Sequence, residues 1–171
     1  MQSDYNEIYD IETLIREYGN DVLRTAYMYV GDSHLAEDVF QDVFLKVSQK
    51  LNTFQGESSI KTWIMRITIN TSKDYLKSAW KRRVTTFTEF HENTLTGEDM
   101  YSSVEQEQDN KIIRETVMEL PDKYKDILLC VYFHDMTISE AATILKIAEG
   151  TAKSRLSRAK EKLKLRLEGR I

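Results

Sequence analysis

Helix breakers are nearly absent from this chain. It has one proline, Pro121, and six glycines in 171 residues, while apolar residues recur at helical spacing along most of its length. Runs of strand-like alternation are few. A chain with that period and so few turn formers is expected to be all-helical. The exception is TTFTEFHENTLTGEDMYSSVEQEQDN, residues 85–110, which is acidic, rich in Thr and Ser, and weakly periodic. That composition suits a flexible linker whose last residues open a helix. The expected organisation is therefore two small helical domains, 5–83 and 106–171, joined by an acidic linker over 84–105.

Bulk properties narrow the class further. No run of 18 apolar residues exists to cross a bilayer, and the polar, acidic start MQSDYNEIYDIETLIREYGN has no secretory pattern. Cys130 is the only cysteine, so no intramolecular disulfide and no multi-cysteine metal cage is expected. These features suit a cytoplasmic protein with no membrane insertion. The formal net charge of −4 conceals a pattern. Residues 1–54 carry 4 basic against 10 acidic side chains, 55–83 carry 7 against 2, 84–122 carry 2 against 10, and 123–171 carry 11 against 6. Each basic block follows an acidic one. A phosphate backbone responds to charge within a Debye length of about 10 Å, so local charge matters more than the total.

The second basic block has a readable local structure. In TISEAATILKIAEG, Thr137 and Glu140 have capping-box spacing. Ile138, Ala141, Ala142 and Leu145 then define the apolar face of a two-turn helix. After a brief KIAEG turn, Ala152, Leu156, Ala159, Leu163 and Leu167 give a second buried face. Lys153, Ser154, Arg155, Ser157 and Arg158 are left outward. A short capped helix, a tight turn and a helix with this division of residues is a helix-turn-helix pattern. Arg can read guanine bidentately, while Lys, Ser and Thr hold phosphates or bases. A basic helix on its own is more often a solvated face; the capped partner helix and the turn argue for DNA.

The N-terminal half holds two further patterns. In LAEDVFQDVFLKVSQKLNTF, residues 35–54, Ala36, Phe40, Val43 and Val47 form a core stripe. Asp38, Gln41, Asp42 and Leu45 lie opposite, with Phe44 to one flank. An apolar residue ringed by carboxylates and an amide suits a partner-binding patch, although a solvated acidic face with one stray Leu fits the spacing as well. In FQGESSIKTWIMRITINTSKDYLKSAWKRR, Ile60, Ile64, Ile67 and Thr71 form the buried stripe. Arg66, Asn70, Lys73 and Lys77 line another face with Trp63 and Lys81 beside it. A basic row with an amide inside it can follow a phosphate backbone and read a base; Trp63 fits core packing better than stacking on DNA.

These segments together resemble extracytoplasmic-function (ECF) sigma factors of the sigma-70 family. GTAKSRLSRAK is similar to the region-four recognition helix, with Ala152 where Val is common. AEDVFQDVFLKV is similar to the region-two helix that docks on core RNA polymerase, with Asp42 for Glu. TWIMRITINTSKD is similar to the segment that captures the minus-ten element, and Lys77 stands where Arg is frequent, keeping charge but losing the guanidinium fork. The resemblance covers about 8–83 and 106–171, without the extra domains of housekeeping sigma factors.

The resemblance implies a dissociable promoter-recognition subunit whose partners are core RNA polymerase, through its clamp coiled coil and flap, and promoter DNA. Asp38, Gln41, Asp42, Phe44 and Leu45 would bind core. Phe54, Ser58, Ser59, Lys61, Trp63, Arg66, Asn70, Lys73 and Lys77 would bind the minus-ten element, with the 54–59 loop and Asn70 holding a base flipped from the non-template strand. Thr151, Lys153, Ser154, Arg155 and Arg158 would read the minus-thirty-five element. The linker would thread near the RNA exit path, and an anti-sigma factor, often membrane-bound, would occlude both domains. No catalytic constellation or phosphate-binding loop is present, so neither an enzyme nor a cofactor is expected; Cys130 and His134 form an i, i+4 pair better suited to a helix core than to a metal. Two other readings fit parts of the chain: a stand-alone helix-turn-helix regulator, and a helical adaptor or anti-sigma module.

Overall fold

The computed structural model describes residues 8–85 and 104–170. They form seven α-helices and no strand, in two units, Met1–Leu95 and Thr96–Ile171. The expectation for the linker falls largely on residues 86–103, outside the described residues.

In the first unit, α1 (Ile11–Val30), α2 (Ser33–Lys50) and α3 (Ile60–Thr85) pack pairwise against one another. The α1–α2 corner uses two adjacent residues. Gly31 ends α1 at φ 68° with its N–H donating to the Tyr27 carbonyl at 2.9 Å, a left-handed conformation that glycine adopts without a Cβ clash. Asp32 then caps α2, its Oδ1 accepting the Leu35 N–H at 2.9 Å, which satisfies one of the orphan amides of a helix start. A short 3₁₀ turn, Leu51–Thr53, closes α2. Between it and α3 the chain turns at Gly56, φ 71°. The core is made of Leu14, Val22, Val39, Val43, Val47, Ile64, Met65 and Ile69, all fully buried. Three buried hydroxyls are satisfied within their own helices: Thr25 donates to the Asp21 carbonyl, Thr68 to that of Ile64, and Ser72 to that of Thr68.

The second unit contains α4 (Val104–Met118), α5 (Asp122–Leu128), α6 (Ile138–Leu145) and α7 (Glu149–Glu168). Pro121 stands at the N-cap of α5, where a missing N–H breaks no helical bond. The helix does not continue regularly through LCVYF. Leu129–Phe133 forms a π turn that ends with the His134 N–H on the Leu129 carbonyl at 3.0 Å. Asp135 follows at φ 52° and leads into the Thr137 cap. Cys130 and His134 are both buried. α7 packs against both α5 and α6, and the buried residues of α6 and α7 are mostly small: Ala141, Ala142 and Ile144 on α6, and Ala152, Leu156 and Ala159 on α7.

The far end of α7 is tied back to α4. Arg166 Nη1 donates to the Glu119 carbonyl at 3.1 Å, and Arg170 reaches Thr116 Oγ1 at 3.2 Å and Glu119 Oε2 at 2.7 Å. One carboxylate thus serves two guanidiniums. Among the described residues, no helix is long and apolar enough to cross a membrane.

Candidate nucleic-acid and partner surfaces

The helix-turn-helix is built from the expected parts. Thr137 Oγ1 accepts the Glu140 N–H at 3.1 Å, and Glu140 Oε2 accepts the Thr137 N–H at 2.8 Å. This reciprocal cap satisfies donors at both ends of the first turn of α6. Lys146 ends α6 in the left-handed region, φ 55°, and three residues later α7 begins. The helix starts at Glu149, so Glu149 and Gly150, expected in the turn, lie inside its first turn. With Ala152, Leu156 and Ala159 buried, the opposite face follows by period: Thr151, Lys153, Ser154 and Arg158 are exposed and Arg155 is half-buried. Lys153 lies 3.6 Å from Glu149, an exposed i, i+4 pair that contributes little.

On α2, Asp38, Gln41 and Leu45 share an exposed face, and Leu45 is 57% exposed. Asp42 is half-buried at its edge, 3.5 Å from Lys46 Nζ. Lys46 also donates to Thr71 Oγ1 on α3 at 3.1 Å. Burial first, and then the charges of Asp42 and Asp38, push the Tyr75 phenol above its usual pKa. Neither Lys46 nor Tyr75 was singled out by the sequence reading. A lysine among carboxylates has no signal of its own until the neighbouring helix is in place.

Phe44 corrects the expected docking set. It is 5% exposed and packs against Phe40, the rings tilted with centroids 4.9 Å apart. Because α2 packs against both α1 and α3, its buried arc is wider than one stripe and takes in Val39 and Phe44.

The minus-ten candidates divide by burial. Arg66, Asn70 and Lys77 are exposed on α3, Lys73 is half-buried, and Ile64, Met65, Thr68, Ile69 and Ser72 fill the faces behind them. Phe54 is the second correction. It is 6% exposed, with its ring 5.3 Å from that of Trp63, itself half-buried. Phe54 therefore packs inward at the start of the 54–59 loop, where an exposed ring was expected. Ser59 is committed to the start of α3, its Oγ accepting the Thr62 N–H at 3.1 Å and donating to Thr62 Oγ1 at 2.9 Å. Ser58 is half-buried and donates to the Ser59 carbonyl at 3.1 Å. Lys61 pairs with Asp21 of α1 at 3.7 Å. Among the described residues no group of His, Cys, Asp and Glu could hold a metal ion.

Two family models match the chain: sigma-70 region 2 over residues 14–82, and sigma-70 region 4 over residues 110–163. Among curated relatives, RNA polymerase sigma factor SigZ of Bacillus subtilis is 31% identical over 82% of this chain and 77% of its own length. ECF RNA polymerase sigma factor SigM of B. subtilis is 28% identical over 90% of this chain and 93% of its own. RNA polymerase sigma-H factor of Pseudomonas aeruginosa is 28% identical over 88% and 82%. Among solved structures, the fold is similar to the sigma factor RpoE crystallised with the anti-sigma factor NepR from Bartonella quintana, with TM-score 0.79 and 21% identity over 94% of this chain and 98% of that one. It is also similar to CnrH in complex with the cytosolic domain of CnrY, with TM-score 0.69 and 18% identity over 94% and 89%.

Proposed function

The chain belongs to the sigma-70 family of RNA polymerase sigma factors, in its ECF branch, and from that premise we propose how its two units divide the work of an alternative sigma factor that binds core polymerase and directs it to promoters. The exposed α2 face of Asp38, Gln41 and Leu45, with Asp42 at its rim, docks on core polymerase. The α3 row of Arg66, Asn70, Lys73 and Lys77 holds the minus-ten element, aided by Ser58 and Lys61. The start of α7 enters the major groove of the minus-thirty-five element with Thr151, Lys153, Ser154, Arg155 and Arg158. Residues 5–83 and 106–171 are the two working domains. The protein acts in the cytoplasm, without an enzymatic step of its own, and an anti-sigma factor restrains it.

One observation carries the reading. Each basic block sits on a helix that is packed along one side, which leaves polar and basic side chains exposed together on the other: Arg66, Asn70 and Lys77 on α3, and Lys153, Ser154 and Arg158 on α7. On this reading the 54–59 pocket works differently from the resemblance. Phe54 packs inward at the start of the loop and Ser59 holds the helix start, so Asn70 and Ser58 are the groups left to meet an extruded base. Extrusion costs a few kcal/mol of stacking, and an amide that donates and accepts can return part of it.

Run-off transcription with purified bacterial core polymerase, with and without the protein, on promoter fragments from its own genome tests the assignment. Discrete new transcripts are expected, and Asp42→Arg or Asn70→Ala should remove most of them. Absence of transcripts, together with failure to co-elute with core, would leave the basic helices to a stand-alone regulator.

A further inference from the structure

Beyond the recognition face, α7 carries a second feature that the sequence reading did not single out. Lys162 lies on the same face as Thr151, Arg155 and Arg158, at successive spacings of four, three and four. Its ammonium sits 5.6 Å from the centre of the Tyr124 ring. From α5, Lys123 places its own ammonium 5.0 Å from the same ring. Tyr124 is buried, while both lysines are exposed. Neither lysine belongs to an ion pair among the described residues. Lys153 and Lys164 of the same helix, by contrast, pair with Glu149 and Glu168.

One ring thus gathers two exposed cations at one place on the surface, drawn by its negative face. A bound anion would supply the negative charge that this pair lacks. The position along α7 identifies which anion. The helix spans 20 residues, or about 30 Å, and a major groove is about 12 Å wide. With its first turns among the bases, residue 162 lies about 16 Å beyond residue 151, at the rim where the sugar–phosphate backbone runs.

We propose that Lys123 and Lys162, held by the Tyr124 ring, form a clasp for the DNA phosphodiester backbone flanking the minus-thirty-five element. This rests on the assignment of the α7 start to duplex DNA. The clasp contributes affinity and register without reading sequence, as phosphate contacts do.

The test is the salt dependence of promoter-duplex binding by the full chain assembled with core polymerase. Each phosphate neutralised contributes about 0.9 to the slope of log K against log salt. The pair Lys123→Gln with Lys162→Gln should therefore flatten the slope by about 1.8, while the ratio of specific to random-duplex affinity changes less than twofold. Tyr124→Phe keeps the ring and should keep the slope. Lys164→Gln removes the same charge from another face and should leave the slope unchanged. An unchanged slope in the double variant, with Arg155→Gln and Arg158→Gln still losing promoter selectivity, would overturn the clasp and spare the recognition face. If those arginine variants also bind normally, both assignments fail. If the double variant weakens association with core in the absence of DNA and leaves the slope alone, the lysines face an acidic protein surface and the clasp is wrong.

Discussion

The two units solve one packing problem with different side chains. The first fills the space between long helices with Leu, Val, Ile and Met, as at Leu14, Val43, Ile64 and Met65. The second brings α6 and α7 together over Ala141, Ala142, Ala152 and Ala159, all buried. A helix-turn-helix needs its two helices close and its connection short, so its contact surface has little room for side chains. The three-helix core is therefore sensitive to lost volume and the α6–α7 contact to added volume, although the second unit buries large side chains elsewhere, at Leu120, Ile127 and Leu129.

The largest effect expected from that contrast is in the first unit. Ile64→Ala leaves a cavity at the meeting of three helices and should cost about 2–5 kcal/mol. Both tryptophans, Trp63 and Trp80, lie in the N-terminal half, so the denaturation midpoint read by their fluorescence reports this unit. A loss below 1 kcal/mol would mean that the three-helix core relaxes around the gap. Next is Ala152→Leu, which forces a larger side chain between α6 and α7 and should cost about 1–3 kcal/mol. Its signature is faster amide exchange in α6 and α7 with the tryptophan signal unmoved; equal loosening of both units would break the comparison. Thr137→Ala removes one half of the capping box and should cost about 1 kcal/mol, again confined to the second unit.

The smallest expected difference is one of sign. Burial pushes the Tyr18 and Tyr75 phenols up from the ordinary 10.0, with neighbouring carboxylates adding to it. Burial pulls the Lys125 ammonium down from 10.5, against the opposing charges of Asp122 and Asp126. Above pH 10 the unfolded chain releases its phenolic protons before the folded first unit does, so that unit loses stability as pH rises. Lys125 works in reverse. The unfolded chain keeps this proton to higher pH than the folded second unit, so stability is gained as pH climbs from the lowered value towards 10.5. Amide exchange followed from pH 8 to 10.5 should show the two units diverging. Tyr75→Phe should lessen the slope in the first, and Lys125→Met should remove it in the second. Parallel slopes would refute the account.

Much of this was legible in the sequence, for particular reasons. The α6 cap was readable because a capping box is a contact between residues three apart. The α7 stripe was readable because one face of that helix packs and the rest meets solvent. Phe44 and Phe54 were misplaced because their burial is decided by more distant neighbours. Phe44 lies on a helix with two packing partners, and Phe54 sits in a loop, its ring meeting those of Trp63, nine residues on, and Tyr9, from far earlier in the chain. The π turn at Leu129–Phe133 was hidden as well, since LLCVYF carries the apolar content of an ordinary helix and no breaker. The Lys123–Tyr124–Lys162 cluster joins positions almost forty residues apart, which no local pattern records.

The Glu119 carboxylate, gripping Arg166 and Arg170 at the far end of α7, has a consequence in leverage. A rod about 30 Å long that pivots by 10° at its anchored end sweeps its free end through about 5 Å. Successive base pairs are only about 3.4 Å apart. On the proposed function, a small slackening at Glu119 would therefore move the reading end by more than one base pair, so the aim of α7 depends in part on the end that would touch no bases.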